Sequence, residues 1–213
     1  MQETNSIRAI VLRRVKYREN DSKISVYSFE KGLLELVVRG TARSKSKLAG
    51  HIEPFNLVNI MIVKGKNFDY AGSVVSEKSF LNIKNDIEKI DKVGEAFRFF
   101  LNYVRGGEAD KNLFLLLLDL LLLLDSKLIG ESRLDYIIQI FKLKLFYFLG
   151  YTPELIFCVN CKQKIIENKI FFDMRGGGVL CPDCYNNNDL LVSSNLVKIL
   201  RLCKDKNLNS FIR

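Results

Sequence analysis

Four cysteines, Cys158, Cys161, Cys181 and Cys184, form two Cys-x-x-C pairs separated by nineteen residues. Two thiolates at that spacing reach one metal ion from a tight turn, and two such turns complete a tetrahedron. The filler suits a zinc ribbon: "KIFFD" (169–173) reads as a short strand and "RGGG" (175–178) as the turn back to the second pair. Four sulfurs saturate a zinc ion, whereas a catalytic zinc keeps one position for water. One structural Zn2+ is therefore expected, with no catalysis at the metal. A redox pair needs one reactive Cys-x-x-C rather than two in ribbon spacing. A zinc deaminase needs H-x-E followed by P-C-x-x-C. His51-Ile52-Glu53 is present, but Phe157 and Leu180 precede the two pairs, so the residue order fails. His51 is the single histidine, with no nucleophile motif around it, and reads as a loop residue. Gly176 to Gly178 are followed by no G-K-[ST], so they make a turn and not a phosphate loop.

These candidate ligands sit in a basic chain of 213 residues with 48% apolar content, enough for one or two cored domains plus a small metal module. The formal net charge is +9. Four thiolates with one dication remove two charges, leaving +7, and an anionic partner, nucleic acid ahead of membrane, is expected. The excess is uneven: residues 1–80 carry +6, residues 81–150 carry none and the rest +3. "LFLLLLDLLLLL" (113–124) is too short for a bilayer and holds Asp119 at its middle, so it reads as a buried helix. The start "MQETNSIRAIVLRR" lacks the pattern of a secretory signal, and a cytoplasmic protein without disulfides is expected.

Three regions follow from the hydrophobic pattern. Residues 1–80 read as five short β-branched strands, 6–14, 22–29, 33–40, 55–63 and 68–76, with turns at 30–32 and 64–67. Five strands in eighty residues suggest a small closed barrel of the OB-fold kind. Residues 81–150 read as helices. Val93, Phe97, Phe100 and Val104 stripe the first, with Asp91 as candidate N-cap and Gly106 as its stop. Leu134, Ile137, Ile138, Phe141 and Leu145 stripe the third, ended by Gly150. Residues 151–192 hold the metal module. A last helix from about Ser194 to Lys206, with Leu196, Ile199, Leu200 and Cys203 on one stripe, is expected to pack on the helical domain, Cys203 being a buried apolar residue and no fifth ligand. The fold class is thus α+β and multidomain: OB-fold barrel, helical domain and four-cysteine ribbon. The long third-to-fourth strand connection, 41–54, continues the densest basic run, "RGTARSKSK", where Arg39, Arg43, Lys45 and Lys47 occur without an acid. A basic loop on such a barrel suits a phosphate backbone. Tyr17, Tyr27, Phe29, Phe68 and Tyr70 are ring candidates for base stacking, at least half of them expected in the core.

The order "VVRGTARSKSKLAGHIEPF", "FLGYTPEL", "CVNC" and "GGGVLCPDC" resembles the bacterial RecO family of DNA repair and recombination mediators over nearly the whole chain. The R-G-x-x-R-x-x-x-K-L…P-F pattern falls on Arg39, Gly40, Arg43, Lys47, Leu48, Pro54 and Phe55, and G-Y-x-P on Gly150 to Pro153; "AIVLRRVKYREND" is similar to the family's first strand and turn. The resemblance implies a protein that is not an enzyme, binds single- and double-stranded DNA and anneals complementary strands. With RecR it would load RecA onto DNA coated by single-stranded DNA-binding protein, in the cytoplasm at the nucleoid. It implies DNA contacts at Arg39, Arg43, Lys45 and Lys47, and the four cysteines as zinc ligands; Arg13 and Arg14 on the first strand are counted as further DNA contacts. The chain stops at Arg213, where similar proteins often continue, so a partner surface built by such a tail is expected to be smaller or absent. The alternative from another class is a zinc-ribbon adaptor of transcription or translation, binding RNA or protein through the ribbon.

Overall fold

A computed structural model describes residues 5–43, 46–126, 129–130, 133–166, 169–205 and 207–211. The chain divides into two compact units, residues 1–142 and 143–213.

In the first unit, alternating apolar residues close five strands into a barrel. They are β1 (Asn5–Tyr17), β2 (Asp21–Ser28), β3 (Gly32–Val38), β4 (Leu57–Val63) and β5 (Asp69–Lys78), in the order β1-β2-β3-β5-β4. All pairings are antiparallel except β3 with β5. That closure leaves no free sheet edge, and it is the OB-fold expected from the strand count. Every second residue points inward, so Ile7, Ala9 and Val11 of β1, Ile24 and Val26 of β2 and Leu36 and Val38 of β3 meet in one core.

The helices of this unit pack on the barrel through aromatic rings. Helix α1 (Leu81–Lys84) is a single turn, followed by α2 (Ile87–Tyr103), α3 (Lys111–Asp125) and α4 (Leu134–Phe148). Tyr27 meets Phe100 edge to face at 5.2 Å, Phe29 meets Phe114 at 5.3 Å and Phe55 meets Phe97 at 5.5 Å. The Tyr27 hydroxyl donates to the Asp110 carbonyl at 3.1 Å. These ring contacts join the barrel to the helices, and the compact unit 1–142 holds both. The expected inner stripes of α2 and α4 are buried throughout. The leucine run forms α3; among the described residues no helix is long and apolar enough to cross a membrane.

One expected cap is corrected. Helix α2 begins at Ile87, so Asp91 lies inside it, and Asp86 is the N-cap, accepting from the Glu88 and Lys89 amides. Asp86 takes two first-turn donors that would otherwise be unpaired, and Asp91 can take none. Asp86→Ala is expected to cost about 1 kcal/mol, and Asp91→Ala well under half of that, in denaturant unfolding.

The second unit takes the C-terminal turns of α4 and continues through β6 (Ile170–Asp173), β7 (Gly178–Leu180), β8 (Leu190–Val192) and α5 (Ser194–Asp205). Gly150 ends α4 with a φ of 88°, which lets the Tyr151 amide reach the Phe146 carbonyl at 2.9 Å. The three strands form a sheet in the order β7-β6-β8. On α5 Val197 and Cys203 are buried and Leu200 packs on the module's core, while Leu196 is exposed, so Val197 takes the inward place expected of Leu196. Val197 packs among Leu155, Ile165, Ile170 and Val179 of the metal module. The other side of α5 meets the end of α4: Tyr147 donates to the Leu200 carbonyl and Lys144 to the Cys203 carbonyl, both at 2.8 Å. Cys203 is fully buried, as expected, and burial pushes its thiol pKa up. The expected helix end at Lys206 lies outside the described residues.

Candidate metal centre and nucleic-acid interface

The two Cys-x-x-C turns are built by backbone hydrogen bonds. The Lys162 amide donates to the Cys158 carbonyl at 2.9 Å, and the Cys158 amide to the Gln163 carbonyl at 2.8 Å; the Cys184 amide closes the second turn on Cys181 at 3.1 Å. The Val159 amide then donates to the Val179 carbonyl at 2.9 Å. That bond ties the first turn to β7 two residues before Cys181, and so brings the pairs together. All four sulfurs lie within 4.8 Å of one another, with Cys161 and Cys181 3.7 Å apart. A tetrahedron with ~2.3 Å zinc–sulfur bonds requires sulfur separations of ~3.8 Å. The four expected ligands therefore fit a metal ion.

The thiols are electrostatically unequal without a cation. Burial raises the Cys158 pKa, but amides of Cys181, Cys161 and Asn160 and the Cys161 thiol outweigh it and bring it down to about 6. Cys184 is pushed up to about 12, first by its hydrogen bond with Cys181 and then by burial and its other sulfur neighbours. Four thiolates this close repel one another, and only a cation lets all of them ionise.

The basic loop is firmly held where it meets the barrel. The Gly40 amide donates to Asp21 at 2.9 Å, and the buried Thr41 hydroxyl lies 2.7 Å from that of Ser22. Leu48 packs on the barrel core and Ile52 is fully buried. The Asn56 amide group donates to the carbonyls of Gly50 and His51. His51 accepts the Ser76 amide on Nδ1 at 3.1 Å, a structural use consistent with its reading as a loop residue. Between these anchors Arg39, Arg43 and Lys47 are exposed. Lys45 lies outside the described residues.

Arg13 and Arg14 are placed apart from Arg39. Arg13 is exposed, but with Arg14 it lines a recess beside Phe55, Ile87, Ile90 and Phe97. Arg14 pairs with Glu53 and donates to the Ala49 carbonyl at 3.1 Å, so its guanidinium braces the loop from below.

Arg39 lies instead in a groove with two of the ring candidates and with cations from two turns. Its walls include Arg18, after β1, and Lys64, Lys66, Phe68 and Tyr70, around the β4–β5 turn. Tyr70 pairs with Val37 across the β3–β5 ladder, and Arg39, two residues further on the same side, rests over the Tyr70 ring at 4.3 Å from its centroid. The signal was present as cations beside aromatics in "YREN" and "KGKNFDY". Of the five ring candidates, Tyr27 and Phe29 are taken by the helix contacts, while Tyr17 and Tyr70 are half-buried and Phe68 is 41% exposed.

Comparison with known proteins agrees with this architecture. The family model for the recombination protein O N terminal matches residues 1–80, and that for the recombination protein O C terminal matches residues 97–212. A DNA repair protein RecO from Dehalococcoides mccartyi is 30% identical over 207 residues, covering 97% of this chain and 80% of the relative. Another from Desulforamulus reducens is 31% identical over 195 residues, covering 91% and 74%, and one from Rubrobacter xylanophilus is 30% identical over 177 residues, covering 83% and 70%. Matches to both halves in order, on a five-stranded barrel followed by helices and a four-cysteine cluster, establish that the chain belongs to the RecO family of DNA repair proteins.

Proposed function

We propose that the chain is a non-enzymatic mediator of DNA repair and recombination, acting in the cytoplasm at the nucleoid. It binds single- and double-stranded DNA on the barrel and anneals complementary strands. With RecR, it helps load RecA onto DNA coated by single-stranded DNA-binding protein. The observation that carries this reading is the exposure of Arg39, Arg43 and Lys47 on a loop whose ends are fixed to an OB-fold barrel. Annealing needs no acid–base constellation. Two strands repel each other, and a cationic surface releases their counterions and raises their local concentration, while base pairing supplies the specificity. The ion in the four-cysteine site is Zn2+, held by Cys158, Cys161, Cys181 and Cys184, and it folds the module without taking part in chemistry.

The test is an annealing assay with complementary oligonucleotides, bare and coated by single-stranded DNA-binding protein. The protein is expected to raise the annealing rate by more than about tenfold, since confining both strands on one surface raises their effective concentration. Rates equal to the spontaneous ones, on bare and coated strands alike, would remove this reading. A zinc-ribbon adaptor would instead bind RNA or protein through the ribbon and leave annealing unchanged.

A further inference from the structure

Three aromatic rings and five cations lie together at one end of the barrel. Tyr17 ends β1 and Arg18 follows it in the β1–β2 turn, and the β4–β5 turn carries Lys64, Lys66 and Phe68, with Tyr70 just beyond it and Arg39 after β3. Each ring has its own cation: Arg18 lies 5.2 Å from the Tyr17 centroid, Lys23 5.8 Å from Phe68 and Arg39 4.3 Å from Tyr70. Phe68 also meets Tyr17 edge to face at 6.1 Å. The open groove measures about 610 Å³, ample for a nucleobase with its sugar.

We propose that this groove is a stacking site for unpaired bases of single-stranded DNA, with Phe68 and Tyr70 as platforms and Arg18, Arg39, Lys64 and Lys66 receiving the flanking phosphates. The proposal rests on the reading that the protein binds DNA, and it adds a contribution from particular rings that only unpaired strands receive. A core role does not account for them: Tyr27 is 1% exposed, whereas Phe68, at the end of a turn, is 41% exposed. A surface cation over a ring favours that arrangement by only about two- to fivefold. A base stacked on a ring is worth about five- to 150-fold. An incoming base therefore displaces Arg39 from Tyr70, and the freed guanidinium is left within reach of the adjoining phosphate. Duplex DNA keeps its bases stacked inside the helix and can use only the cations.

Gly65 supports the same geometry. A Cβ at this position would collide with the Phe68 carbonyl oxygen and come within 2.6 Å of the Tyr70 ring. The turn can close over Tyr70 only with glycine here.

The test compares binding of oligo(dT), an abasic oligonucleotide of equal length and a duplex. The parent is expected to favour oligo(dT) over the abasic strand. The double variant Phe68→Leu with Tyr70→Leu keeps apolar bulk and every charge. It is expected to lose roughly 25-fold or more in oligo(dT) affinity, with its salt dependence, abasic binding and duplex binding unchanged. A second arm uses Phe68→Trp in a chain that has no tryptophan of its own. Its emission is expected to be quenched by oligo(dT) and not by duplex. If the parent binds oligo(dT), but the double variant binds it equally or the Phe68→Trp emission does not respond, the stacking site is wrong and the DNA-binding reading stands. If the parent binds none of the three ligands, both fall. Should the double variant unfold, the Phe68→Trp response decides by itself.

Discussion

Removing the metal is expected to unfold residues 151–192 while the barrel stays native. Structural zinc contributes about 10–16 kcal/mol to the modules that bind it. A whole small domain is stable by only about 5–15 kcal/mol. The module's own core cannot make up the loss, because Cys158 and Cys181 are themselves members of it, beside Leu155, Ile165, Ile170, Val179, Leu180 and Val197. Cys158→Ser with Cys161→Ser, or strong chelation, should therefore abolish amide-exchange protection across 151–192 and leave that of 5–78 unchanged. The sign with pH follows from the competition between metal and protons for sulfur. Cys158 ionises near pH 6 without a metal, whereas Cys184 holds its proton to about 12. Binding a divalent ion thus releases protons, and metal affinity falls as pH falls, most steeply once Cys158 also protonates below 6. Zinc release, followed with a colorimetric chelator, should be easier at pH 5 than at pH 7. A purified protein with no metal and full protection of 151–192 would show that the cluster has no structural ion.

The barrel was legible because its strands alternate over long stretches, and because a closed sheet of five strands leaves few topologies. The clustering of the four cysteines was legible from spacing alone. Where the reading slipped, two residues of similar chemistry competed for one role. Asp86 and Asp91 are both acids before an apolar stripe, and only the geometry of the first turn selects Asp86. Leu196 and Val197 are adjacent, and α5 turns Val197 inward because the module's core lies on that side, while Tyr147 and Lys144 hold its other carbonyls. The short strand β8 was missed because "LLV" is too brief to show a period; its place is set by pairing with β6. The groove was missed for another reason. Arg18, Lys64 and Lys66 read individually as ordinary turn residues, and only barrel closure brings two distant turns and Arg39 to one place. Arg14 looked like its neighbour Arg13 in sequence, yet the pairing of β1 with β2 shifts register between Val11 and Arg13, and Arg14 turns to Glu53 and Ala49.

Neutralising the basic loop is expected to weaken every DNA sequence by about the same factor. Arg39, Arg43, Lys45 and Lys47 are accompanied by no base-reading motif, so their contribution is to phosphate charge. Each phosphate contact on a single strand contributes about 0.7 to the slope of log affinity against log salt. Arg39→Gln, Arg43→Gln, Lys45→Gln and Lys47→Gln together should flatten that slope by about 3 units if all four engage. Annealing should fall in parallel, since the same surface must hold both strands. Folding should be little affected: the loop's anchors are Asp21 on Gly40, Ser22 on Thr41, Asn56 on Gly50 and His51, and Arg14 on Ala49, and none of them is replaced. Equal melting temperatures for variant and parent would therefore tie a loss of binding to charge. The contrast with the ring variants is decisive: charge variants lower the slope on single strands and duplex alike, whereas ring variants leave the slope alone and act only on unpaired bases. If the quadruple variant binds and anneals like the parent at every salt concentration, the loop is a solubility feature and the binding face lies elsewhere.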